Sequence, residues 1–188
     1  MRRGQGEHSR GRGDLTAAAT AMASSSADRS LEPRDAVSRF VRAGVLTAIT
    51  DGLFSSVLNV AAYNSTVARL WQGVAATVVG SAAFSGGART VVLGLLMHFG
   101  VALAWSAVFV FGAMRVERIR RLIASRAGAV GVASVYGPLV WMAMSLVVIP
   151  VLVRRSPSIT VRWWVQFFGH IPFVGAPIVL SASRRPER

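Results

Sequence analysis

Polar and apolar residues in this chain do not alternate at the short periods of a soluble fold. The apolar ones gather into four long blocks separated by short polar or arginine-rich stretches. The clearest block is Thr90 to Ala113, TVVLGLLMHFGVALAWSAVFVFGA, which has no formal charge. A helix rises about 1.5 Å per residue and the hydrocarbon core of a bilayer is about 30 Å thick, so roughly 20 apolar residues cross it. Spans are expected at about 39–62, 90–113, 128–153 and 161–183. Backbone polar groups in lipid must be satisfied within the segment, which leaves the helix as the reading for each block. The pattern predicts an all-α polytopic membrane protein, a four-helix transmembrane bundle occupying 37–185.

Tyr63 to Arg89 is not a simple loop, because VARLWQGVAATVV has helical character and a single charge. A short interfacial helix is expected between spans 1 and 2, at about Thr66 to Gly80, with Trp71 at headgroup level. Ser85-Gly86-Gly87 then breaks the chain. Tyr136-Gly137-Pro138 and Pro150 read as kinks in span 3, and Pro172, Gly175 and Pro177 predict a bent or irregular far half of span 4.

Within the spans the polar residues fall on defined faces. Thr47, Asp51, Ser55 and Asn59 form a ridge at four-residue spacing in span 1, beside a ridge of Gly44, Ala48, Gly52 and Ser56. In span 2, Gly94, His98, Ala102 and Ser106 share one face. Small residues let a neighbouring helix approach closely, so Gly44, Gly52 and Gly94 are expected packing positions. A carboxylate facing lipid costs at least about 2.5–3.5 kcal/mol, which turns Asp51 inward.

Composition adds to this picture. Hydrophobic residues are 53% of the chain and charged ones 15%, against roughly 45–50% and 25% in soluble domains. A net charge of +13 would point to nucleic acid in a soluble chain. Here every basic residue is an arginine and these cluster at the ends of the apolar blocks, so the lipid bilayer, not nucleic acid, is the expected partner. A homo-oligomer stays open. Twelve arginines flank the N-terminal, middle-loop and C-terminal ends of the spans, against five in the other two loops, which predicts cytoplasmic termini in a bacterial inner membrane. Residues 1–36 hold few large apolar side chains and are expected to be disordered. With no Cys, disulfides, thiolate catalysis and Cys-ligated metals drop out.

Helix rise places Asp51, His98 and His170 at one level on three different helices, with Tyr136, Asn59 and Gln166 as candidate neighbours. Two readings stay open. Buried polar groups hold helices together, and intramembrane ionisable residues line proton, ion or solute paths. A two-histidine haem site is a lesser alternative, and no cofactor, metal site or catalytic constellation is identified.

The run AAFSGGARTVVLGLLMHFGVALAWSAVF, with YGPLVWMAMSLVVIPV and HIPFVGAPIVL, resembles a family of small, uncharacterised four-span bacterial inner-membrane proteins over about Arg42 to Arg185. The resemblance rests on Asp51, Gly86, Gly87, His98, Tyr136, Gly137, Pro150, His170, Gly175 and Pro177. Ser145 stands where the resemblance leads one to expect Asn. It implies four spans and no activity.

Overall fold

The computed structural model describes residues 33–183. The expected disordered segment lies outside the described residues as far as Glu32, and its last four residues, from Pro33, belong to the first helix. The described residues form six helices and no strand: α1 (Pro33–Ala61), α2 (Val67–Val79), α3 (Gly87–Arg115), α4 (Glu117–Ile123), α5 (Arg126–Val153) and α6 (Val161–Ser183). Four of them, α1, α3, α5 and α6, are long and apolar enough to cross a membrane. This is a polytopic helical membrane protein.

Local chemistry starts the helices where the sequence supplies hydroxyls. Thr66, Ser125 and Thr160 each accept a hydrogen bond from the backbone N–H three residues on, at 3.1, 3.0 and 3.4 Å, capping α2, α5 and α6. α5 ends with Arg154 in the left-handed region at φ 52°. The opposite end of the bundle is tied by charge: Arg39 Nη1 donates to the Ala182 carbonyl at 3.1 Å and Arg42 Nη2 to the Ser181 carbonyl at 2.6 Å. The last carbonyls of a helix have no partners of their own and a partial negative charge, so guanidinium groups stabilise them. These contacts put the start of α1 beside the end of α6.

Three spans are not regular helices. α3, α5 and α6 each contain a widened π-type turn, at Val108–Gly112, Met144–Val148 and Ile171–Gly175. Pro150 and Pro172 lie beside or in two of these, where a missing N–H releases a carbonyl from the regular ladder. Other helices take up such carbonyls. The Thr50 hydroxyl lies 2.7 Å from the Phe173 carbonyl, which Pro177 cannot serve, and Tyr136 donates to the Trp105 carbonyl at 2.7 Å, just before the π turn of α3.

Candidate functional site

α1 turns Asp51 toward the other helices because its large apolar side chains take the other side. Val45, Leu46, Ile49, Leu53 and Val57 are exposed, while Gly44, Thr47, Ala48, Gly52 and Asn59 are buried. The small-residue ridge admits α3 closely. Gly44 faces Leu103, and His98 Nε2 lies 3.0 Å from the Ala48 carbonyl.

That carbonyl fixes the protonation pattern of the imidazole. A carbonyl only accepts, so Nε2 bears the N–H. Nδ1 then faces Asp51 Oδ2 at 4.0 Å, an approach that is attractive only when Nδ1 or the carboxyl also carries a proton. The separation is beyond a direct hydrogen bond. Asp51 Oδ1 is buried with no partner.

On α6, Trp163, Gln166 and His170 follow helical spacing and are all buried, whereas Trp164 and Phe168 are exposed. His170 Nδ1 donates to the Gln166 carbonyl at 2.7 Å, leaving Nε2 as the bare acceptor of the neutral ring. The depth of His170 is set by a glycine crossing. The backbone of α5 at Gly137 lies against the His170 carbonyl, and Gly175 of α6 lies against the Ala133 carbonyl, so closely that neither glycine has room for a methyl group. α5 also presents Trp141 and Ser145, one turn apart, and Trp163 Nε1 donates to Ser145 Oγ at 2.9 Å. Each imidazole has an indole beside it, Trp71 with its ring centroid 5.1 Å from that of His98 and Trp141 4.9 Å from that of His170.

These residues wall a cavity of about 450 Å³, a volume typical of small-molecule sites. Asp51, His98, Gln166 and His170 line it, and it reaches the exposed Ser158 and Thr160 just before α6. Asp51 is about ten residues from the end of α1, His98 about eleven from the start of α3 and His170 about nine from the start of α6, so all three lie roughly 14–16 Å along their spans. Arg162 also lines the cavity. Its Nη2 donates to Asn59 Oδ1 at 3.0 Å and its guanidinium lies 4.2 Å from the Tyr63 ring centroid, so the charge is engaged by its neighbours.

Four of the six residues expected to cluster, Asp51, His98, His170 and Gln166, line this one cavity. Asn59 and Tyr136 do not. Asn59 donates to the Thr66 carbonyl at 3.1 Å and meets the cavity only through Arg162. Tyr136 lies edge-on to Phe109 at 4.8 Å and lines a separate apolar groove with Ile119 and Leu122. Trp71, expected at headgroup level, is 5% exposed, because α2 packs on α3 with the Trp71 carbonyl against Gly94. Of the other glycines expected to pack, Gly44 is closed by the Leu103 side chain and Gly52 makes ordinary contacts with His98 and Trp71.

Trp141, Trp163, Ser145 and Arg162 were not anticipated. The signal that finds the first three is helical spacing: Trp141 with Ser145, and Trp163 with Gln166 and His170, share faces. Among the described residues no three His, Asp or Glu side chains converge as metal ligands do. A two-histidine haem does not fit either, because the nitrogen a haem iron takes from His98 would be Nδ1, beside the Asp51 carboxyl, while Nε2 is held by Ala48. Comparison with protein-family models, with curated proteins and with solved structures gives no match for this chain.

Proposed function

We propose that this membrane protein takes a small polar solute into the cavity and couples its passage to proton exchange at Asp51 and His98. The observation that carries the reading is the cavity itself, which extends from Ser158 and Thr160 to a carboxyl and two imidazoles held at mid-span. A purely structural polar cluster does not need such space. At the far end Arg39 and Arg42 bond to the carbonyls of Ala182 and Ser181 and tie α1 to α6. An opening at one end and helices tied together at the other is the arrangement expected of a state that loads from one side. The arginine distribution favours the Arg39 and Arg42 end as the cytoplasmic one, and together with the resemblance it favours a bacterial inner membrane.

A second reading, a bundle without transport, is favoured by the bonds from Thr50, Tyr136 and Arg42 to carbonyls of other helices. None of these bonds involves the cavity. The two readings part in a vesicle experiment. Vesicles carrying the protein, an internal pH dye and an imposed proton gradient are challenged with small amines, sugars and carboxylates. At least one class accelerates proton movement through the wild type and fails to do so with Asp51→Asn, which keeps the shape of the side chain but cannot titrate. No acceleration by any class leaves the structural reading in place.

A further inference from the structure

We infer that the solute is a small organic ammonium cation, held at Asp51 among the indole rings of Trp71, Trp141 and Trp163. The inference rests on the reading of the cavity as a solute site and names the chemistry of its ligand.

Asp51 Oδ1 and Gln166 Oε1 are buried acceptors without partners, and Gln166 is only 8% exposed. The Nε2 lone pair of neutral His170 is a third acceptor nearby. A buried acceptor left unpaired is costly, so a ligand that brings N–H donors complements this set. A buried donor on the wall without a partner, Trp141 Nε1, suits a hydroxyl oxygen on the same molecule.

The titratable and charged groups facing the cavity are Asp51 from α1, His98 from α3, and His170 and Arg162 from α6; α2 and α5 present indole, hydroxyl and apolar groups. Asp51 is the single carboxyl among them, and an ionised carboxylate at this depth needs a cation beside it. Either a proton shared with His98 or an ammonium group meets that need. Arrival of the ammonium then releases the proton to water and departure takes one back, so the charge of the site is unchanged.

The indole centroids of Trp141 and Trp163 are 6.3 Å apart, and Trp71, also on the wall, stands against His98. Indole faces attract organic cations, most strongly away from water. Arg162 opposes a cation, but it lies about eight residues, roughly 12 Å of helix rise, from His170 and is engaged by Asn59 and Tyr63. An anion gains Arg162 and the Trp141 N–H but meets the acceptors Asp51 Oδ1, Gln166 Oε1 and His170 Nε2 further in.

Purified full-length protein in detergent is titrated with 2-aminoethanol, 3-aminopropan-1-ol, ethylene glycol and glycolate, following tryptophan fluorescence and, in weak buffer with an indicator dye, proton release. The two cations are expected to bind saturably with a proton released for each one bound, and the neutral and anionic analogues much more weakly. Asp51→Asn should weaken cation binding by about tenfold or more. Tighter binding of glycolate, binding without proton release, or affinity untouched by Asp51→Asn overturns the inference, and the selectivity and proton release need no variant. Cation binding with proton release but no vesicle flux keeps this inference and removes transport; flux driven by another class without cation binding does the reverse.

Discussion

Two glycines six positions apart on α3 should respond to the same substitution with opposite signs. Gly94 sits where the backbone of α2 crosses, and a methyl group there meets the Trp71 carbonyl oxygen and carbon. A backbone carbonyl cannot rotate aside as a side chain does, so α2 must move off α3. Overpacking of this kind costs about 1–3 kcal/mol or more. At about 2–4 °C per kcal/mol for a chain of this size, Gly94→Ala should lower the melting temperature by roughly 2–12 °C. Gly100 has nothing within 4 Å of where its methyl would lie. Gly100→Ala gains helix propensity of about 0.5–1 kcal/mol, a rise of about 1–4 °C. Thermal unfolding in detergent, followed by tryptophan fluorescence, reads both. Gly94→Ala should also change the emission of the folded state, because Trp71 leaves its place 5.1 Å from His98. Equal shifts, or a Gly94→Ala protein as stable as the wild type, would refute the close crossing.

Tyr136→Phe removes the bond to the Trp105 carbonyl and should cost about 0.6–1.7 kcal/mol in detergent unfolding, with cation binding unchanged because Tyr136 lies outside the cavity. Arg42→Ala should destabilise by about 1 kcal/mol through the uncapped end of α6, and Arg42→Lys by less; equal losses contradict the capping role. Reporter fusions after Arg126 and after Arg188 should report cytoplasm and one after Arg155 the other side; a cytoplasmic Arg155 fusion contradicts the arrangement. Hydrogen bonds from Arg121 and then Arg120 hold the Glu117 carboxyl below its ordinary range. Its stabilisation is therefore present above the unfolded-state pKa and lost as pH falls through the folded-state value. Any gap in melting temperature between wild type and Glu117→Gln at neutral pH should close in acid.

Span positions could be read from the sequence because apolar length is a local property. The four spans begin and end within a few residues of the expected places. The buried faces of α1 and α3 were legible for a similar reason: Gly44, Ala48 and Gly52, and Gly94, Ala102 and Ser106, follow the helical period and are buried. Depth, too, follows from counting residues. Direction around a helix relative to distant neighbours does not. Tyr136 has a depth that fits the cluster, but at about 100° per residue it points roughly 140° away from Trp141, toward α3. Trp71 reads as an interfacial aromatic until α2 is known to fold against Gly94, a contact no local pattern encodes. Arg39 and Arg42 read as topology signals, yet they also cap a helix that ends some 140 residues later in the chain. The π turns reorient Ser145 and the residues after His170, and the prolines near them mark irregularity without fixing its form.

Loading of the cavity requires that water reach Asp51 from one side. The chain has no cysteine, so Ser55→Cys, one turn from Asp51 on the cavity wall, and Ser106→Cys, 0% exposed, can each be introduced as the sole thiol. Each variant is reconstituted in vesicles and treated with a charged, membrane-impermeant thiol reagent from either face. Ser55→Cys should react only from the face that carries Ser158 and Thr160, and Ser106→Cys from neither. An unreactive Ser55→Cys, or one that reacts only from the Arg42 face, contradicts such loading.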